Sequence, residues 1–340
     1  MTAMTATAGE AILQISNLRT EFRIGGGWHA AVRDLSLTLG RNETLAIVGE
    51  SGSGKSDTAL SILRLLPKAG ARIAAGEVTF EGRDLVRLSE RQMSDIRGNA
   101  IAMIFQEPMT SLYPTMTVGE QVAEAIIIHR HCAPSDAMAQ ALQLLREVRI
   151  PSAESRIHDY PHQFSGGMRQ RVMIAMALAC RPRILLADEP TTALDVTIQA
   201  EVLMQLDELK QAYGMSIVFI THNLGVVAQI ADRVAVMYAG EVVELAGVET
   251  LFARPTHPYT QALLRAMPRA DRNSDSLEPI PGSVPSLAAM PAGCAYAPRC
   301  PYRLPRCEEA RPTLEQAGDP AHLVRCPVRL AQGASDEASL

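Results

Sequence analysis

Apolar and polar positions alternate along residues 12–23 and 30–39, the two-residue period of half-buried strands, with the turn-rich IGGGWH between them. TLAIVG (44–49) is a short, wholly apolar run, and GEVTF (76–80) and AIAMIFQ (100–106) predict further strands. DTALSILRLL (57–66) has helical apolar spacing, as do TVGEQVAEAIIIHR (117–130) and SDAMAQALQLLREV (135–148). RILLAD (183–188) predicts a buried strand, VTIQAEVLMQLDELKQAY (196–213) a helix and SIVFITH (216–222) another strand. ADRVAVMYAGEVVELAG (231–247) predicts a strand pair. The pattern is an α/β core with a helical insert over about residues 107–165. Proline and glycine rise after Arg269, in EPIPGSVPSLAAMPAG, which predicts a linker. Residues 1–10 and the final QGASDEASL are expected to be flexible.

Composition narrows the class. A chain of 340 residues with 47% hydrophobic and 20% charged content is long enough for a full core and a second, smaller unit. Its net charge of −5 gives no general reason to expect nucleic-acid binding. MTAMTATAGE lacks the basic and apolar regions of a secretory signal, and no window reaches about 18 uninterrupted apolar residues. A cytosolic protein with reduced thiols is expected.

Three motifs carry chemistry. Gly49, Glu50, Ser51, Gly52, Ser53, Gly54, Lys55 and Ser56 fit G-x-x-x-x-G-K-[ST] between a strand and a helix. There, backbone N–H groups curl around a phosphate, and the helix N-terminus adds about half a positive charge. Lys55 is placed for the β- and γ-phosphates and Ser56 for Mg²⁺. RILLAD ends in Asp188, a carboxylate at a strand's C-terminal edge that can hold Mg²⁺ through water. The next residue, Glu189, can polarise the attacking water. In FSGGMRQR, Ser165, Gly166 and Gly167 open a helix and create a second anion-binding terminus. Two phosphate-binding helix ends in one chain suggest a nucleotide clamped between two such chains.

With these motifs in order, residues 10–250 resemble the ATP-binding subunit of an ABC transporter. More narrowly, the chain resembles the dipeptide and oligopeptide importers, through MIFQEPMTSLYPTMTVGEQ, HQFSGGMRQRVMIAMAL, FARPTHPYTQALL and a four-cysteine tail. The resemblance implies an ABC-type P-loop core over 11–255 with an N-terminal antiparallel β subdomain and a helical subdomain. It also implies a Cys-rich extension over 256–340. Gln106 matches the loop glutamine that senses Mg²⁺ and water and contacts the membrane subunits, His222 the switch histidine at the γ-phosphate, and Asp195 the loop communicating across a dimer. Asp195 is equally placed to cap the helix beginning near Val196. Phe22 matches the aromatic that stacks on adenine, with Trp28 as its rival.

The implied partners are two integral-membrane permeases, a second ATPase that is a copy or a paralogue and, indirectly, an external solute-binding protein. The implied location is the cytoplasmic face of the inner membrane, and peptides are the favoured solute, with nickel chelates and glutathione as alternatives. A soluble ABC ATPase is the competing class, but such proteins usually carry two cassettes or a long coiled-coil insert. A kinase using the same loop does not account for FSGGMRQR. Two residues depart from the family pattern: Asp57 follows Ser56 where an uncharged residue is usual, and Tyr113 stands where asparagine is usual.

Four cysteines close the chain with the spacing Cys294-x5-Cys300-x6-Cys307-x18-Cys326. No C-x2-4-C knuckle is present, as zinc sites usually require, and prolines follow Cys300 and Cys326. The resemblance implies a [4Fe–4S] cluster. A zinc site drawing on nearby His322, or free thiols, remain the alternatives. Cys132 and Cys180 are expected on helices as ordinary half-exposed or buried residues.

Overall fold

A computed structural model describes residues 11–106, 111–191, 194–267 and 279–328. The expected flexible ends, residues 107–110 of the insert, Thr192 and Ala193 of TTALDVT, and the start of the linker lie outside these. The chain divides into two compact units.

The first unit comprises residues 1–39, 44–86 and 220–340. Its antiparallel sheet runs Gly27–Gly40, Ala11–Ile24, Ala71–Phe80, Arg83–Asp84. Alternation decides which face is buried: Leu13 lies opposite Phe80 and Ile15 opposite Val78, and all four are buried. Thr44–Val48, buried at every position, pairs in parallel with Arg233–Tyr238, as a continuous apolar run requires. Arg233–Tyr238 turns through Ala239 and Gly240 (φ 49° and 83°) into Glu241–Gly247. That strand takes on Asp319–Val324, with Leu245 opposite Leu323, and then Glu315–Ala317.

The second unit comprises residues 40–43 and 87–219. Ile101–Ile104 pairs in parallel with Ile184–Asp188, beside which Ser216–Thr221 lies. The insert carries helices Val118–Arg130, Pro134–Glu147 and Ala153–Arg156. Thr117 and Glu120 form a reciprocal capping box at the first. Helices Gly166–Leu178 and Val196–Tyr213 follow. Arg171 joins them, with its guanidinium on Glu201 (2.8 Å), Gln205 (3.3 Å) and the Val148 carbonyl (3.3 Å).

Several boundaries differ from the sequence expectation. The helix after the phosphate loop spans Lys55–Ile62 and stops short of Leu66, because Arg64 adopts φ 53° and the apolar spacing continues past the hydrogen bonds. Cys132 and Cys180 lie just past helix ends, not on helices. Cys180 is buried, with its sulfur 3.4 Å from the Ala125 carbonyl, and burial raises its thiol pKa. Ile280, Val284 and Met290, within the expected linker, pack on the first unit's core beside Tyr238, Tyr259 and Tyr296. Apolar residues among prolines there serve packing, not spacing.

Candidate functional site

In the first unit the phosphate loop is fixed from below. Gly54, φ 92°, precedes the helix, and a Cβ there would stand 2.6 Å from the Ala31 carbonyl oxygen and 3.3 Å from Gly240 Cα. Gly240 N–H donates to the Ser53 carbonyl at 2.9 Å. Lys55, 6% exposed, donates through Nζ to the Gly49 and Glu50 carbonyls at 2.8 and 3.0 Å, drawing the loop into a ring. Ser56 is half-buried as the second helical residue and Asp57 is the third. Ser51 and Gly52 form the exposed crest of the loop.

Glu50 is held twice by residues far along the chain. Its N–H donates to Tyr259 Oη at 2.9 Å. Its carboxylate receives Arg299 through two nitrogens, at 2.7 and 3.1 Å. Tyr259 and Tyr238 are buried edge to face with centroids 4.7 Å apart, and burial raises both hydroxyl pKa values, so they stay neutral. Sequence reasoning missed Tyr259, Tyr238 and Arg299. Tyr259 stands within FARPTHPYTQALL and Arg299 within the cysteine run, but no spacing connects either to position 50.

His222 follows Ser216–Thr221 and is exposed. Phe22 is half-buried near the end of its strand, opposite Ala71. Trp28 is 39% exposed, with the Arg72 guanidinium 4.2 Å over its ring. That cation covers one ring face.

In the second unit Asp188 closes its strand, 5% exposed, and Glu189 follows with φ 46°. Gln106, two residues past its own strand, donates through Nε2 to Glu189 Oε2 at 3.3 Å. Ser165 Oγ caps Gly166–Leu178 by accepting Met168 N–H at 3.3 Å, and both Ser165 and Gly166 are exposed. Asp195 caps Val196–Tyr213 by accepting Ile198 N–H at 3.0 Å, so its capping role is realised. A Cβ on Gly167 would stand 2.9 Å from Ile198 Cγ2, so the two capped helix starts touch. Tyr113 is 67% exposed, while its backbone N–H and carbonyl are both held by Gln121.

The four late cysteines all lie in the first unit. Cys294 N–H donates to the Cys307 carbonyl at 2.8 Å. Burial pushes the Cys294 thiol up to about 11, and the Cys326 and Cys307 thiols add to the shift. Cys300 is raised by burial and by the same two neighbours. Even so, among the described residues no group of three or more His, Cys, Asp or Glu side chains is arranged to hold a metal ion. His322, buried, binds Glu244 at 2.7 Å, and that pairing competes with the mixed zinc site that its position beside Cys326 suggested.

Comparison with known proteins adds two family matches: ABC transporter over residues 32–192, and oligopeptide/dipeptide transporter C-terminal region over 243–307. The chain is 54% identical to a probable peptide ABC transporter ATP-binding protein of Sinorhizobium fredii, covering 93% of this chain and 94% of that one. It is 50% identical, with the same coverage, to a dipeptide transport ATP-binding protein of Bacillus subtilis. Among solved structures, a dimeric ATP-binding cassette bound to ADP and Pi matches with TM-score 0.63 and 28% identity, over 69% of this chain and 98% of the other.

Proposed function

The chain belongs to the ATP-binding subunits of ABC transporters, in the peptide-importing branch, and from that premise we propose how its residues divide the work. It is an ATPase that drives peptide import. The observation that carries the assignment of roles is the hydrogen bond from Gln106 to Glu189. It ties the loop glutamine, a sensor in the family pattern, to the carboxylate that follows the strand end. Glu189 polarises the attacking water and Gln106 orients that carboxylate. Lys55 and His222 stabilise charge that develops on the transferred phosphoryl group.

Ser56, Asp188 and Gln106 offer only oxygen donors to a cation, the hard set that suits Mg²⁺. Held by these residues, Mg²⁺ would supply charge neutralisation to the phosphates. Phe22 stacks on adenine; the Arg72 guanidinium over Trp28 supports that choice. The exposed Ser165 and Gly166, with the half-buried Gly167, serve a nucleotide held by the facing cassette, with Asp195 communicating from the next helix. Binding then closes the pair and hydrolysis releases it.

Among the described residues no helix is long and apolar enough to cross a membrane. Membership among peptide-importer ATP-binding subunits supports a solute path through permease partners. We place the chain at the cytoplasmic face, paired with a second ATPase and engaging two permeases near Gln106. Uptake of labelled di- and oligopeptides in a strain lacking this chain tests the reading. Wild type should restore uptake and Glu189→Gln should not. Uptake restored equally by both would overturn the catalytic assignment.

We further assign the four thiols to a [4Fe–4S] cluster. Their soft, all-sulfur donor chemistry fits such a group. Cys294 and Cys300 each feel the Cys326 and Cys307 thiols, which supports one shared group. Anaerobically purified protein should carry about four irons and four sulfides, lost in Cys300→Ser. Zinc alone, or no metal, would remove the cluster and leave the ATPase reading intact.

A further inference from the structure

The second residue of the phosphate loop is fastened by the segment that follows the cassette. Arg299 is 4% exposed at its side chain and Glu50 30%, and the guanidinium meets the carboxylate with both terminal nitrogens. A forked, largely desolvated pair of this kind fixes orientation as well as distance. The remaining Arg299 donors are also spent: Nε on the Pro281 carbonyl (2.7 Å), Nη2 on the Ile280 carbonyl (3.2 Å) and Nη1 on Tyr238 Oη (3.3 Å). The guanidinium is therefore a fixed post. Tyr259 receives the backbone N–H of the same Glu50 and is itself wedged against Tyr238 and Tyr296, at centroid distances of 4.7 and 5.2 Å.

Arg299 sits in the turn between two of the late cysteines. Ala297 N–H bonds to the Cys294 carbonyl, Arg299 N–H to the Tyr296 carbonyl and Cys300 N–H to the Ala297 carbonyl, at 3.0, 3.0 and 3.2 Å. Against this turn a Cβ on Gly293 would stand 2.2 Å from the Cys307 carbonyl oxygen, so the cysteine-bearing segment is closely packed there. Nothing in phosphate chemistry requires a carboxylate at position 50. Its charge opposes that of a triphosphate, and the Arg299 guanidinium offsets it.

We propose that Arg299 is a positioning residue of the phosphate loop, and that through its pair with Glu50 the cysteine-bearing turn sets how tightly ATP binds. Arg299 does not touch the nucleotide. It holds Glu50, and with it the ring closed by Lys55, in the shape that receives the phosphates, so that less ordering remains at binding. The inference rests on the ATPase reading above.

The test uses the full chain, with ATP affinity by titration and steady-state KM and kcat for wild type, Glu50→Gln, Arg299→Gln and the double variant. Each single change should raise Kd and KM for ATP about tenfold, with kcat within twofold, and the double should be no worse than either single. Glu50→Gln is the variant that leaves every other Arg299 bond in place, so it separates the pair from the folding of the extension. Cys300→Ser should raise Kd in the wild-type background and add nothing in Glu50→Gln. Wild-type affinity in Glu50→Gln, a double variant equal to the product of the singles, or a Cys300→Ser effect that stacks on Glu50→Gln would overturn the proposal. A lowered melting temperature with unchanged Kd and KM would do so as well, since it marks a purely structural pair. Failure of the wild type to bind ATP would instead fell the ATPase reading.

Discussion

The two helix N-termini proposed for phosphate are built in opposite ways. The one at Lys55 is embedded: Ser53 and Thr58 are fully buried, Lys55 nearly so, and the loop before it is fastened by Gly240, Tyr259 and Arg299. The one at Gly166 is presented: Ser165 and Gly166 are exposed, and the terminus is held by the serine cap on Met168 and by Arg169 Nε on the Pro161 carbonyl at 2.8 Å. Both present helix N-terminal N–H groups and a positive dipole end. The embedded terminus is shaped by its own chain before ligand arrives. The presented one is held from within its own unit, through Arg169 to the Pro161 carbonyl and Arg171 to Glu201, and its exposed start suits a ligand brought by another molecule.

A pair of glycine substitutions separates the two most sharply. Gly54→Ala places a methyl group 2.6 Å from a backbone oxygen at a left-handed φ, which no side-chain shift relieves. It should cost about 2 kcal/mol or more of stability, lower the melting temperature by about 5 °C, and weaken ATP binding at least about a hundredfold. Gly166→Ala meets nothing within 4 Å. Its melting temperature and its own ATP affinity should stay at wild-type values, while ATP-driven pairing of cassettes weakens and hydrolysis falls about tenfold. Calorimetry, nucleotide titration and gel filtration with ATP read all of these. Equal losses of ATP affinity in both variants would erase the distinction.

The embedded terminus was the easier to read from sequence. Its strand, glycines, lysine and helix are contiguous, and local chemistry dictates each. The Ser165 cap and the Asp195 cap were legible for the same reason, since capping is a three-residue rule. What sequence could not deliver was the second support of the loop. Glu50 meets Tyr259 and Arg299 across 209 and 249 residues, and no periodicity spans such distances. The hairpin Glu315–Ala317 and Asp319–Val324 escaped for a related reason: it is short, polar on one side, and exists by pairing with Glu241–Gly247. His322 was read by its nearness to Cys326 along the chain, yet that same pairing turns it to Glu244.

The smallest effect is expected at Asp57, where an acid stands in the embedded helix's first turn. A carboxylate about 8 Å from a triphosphate charge in water is opposed by about 0.5 kcal/mol. The helix dipole returns about 0.3–1 kcal/mol to an acid at this position. Asp57 is third in Lys55–Ile62, its side chain half-exposed and its carbonyl receiving Ser61 Oγ at 2.5 Å, a bond that any residue at 57 retains. Valine and aspartate have similar helix propensities. Asp57→Val should therefore tighten ATP binding about twofold and change steady-state hydrolysis less than threefold. A hundredfold rise in ATPase rate would show that this acid restrains the site, and that the embedded terminus is tuned by its own helix as well as by the Arg299 post.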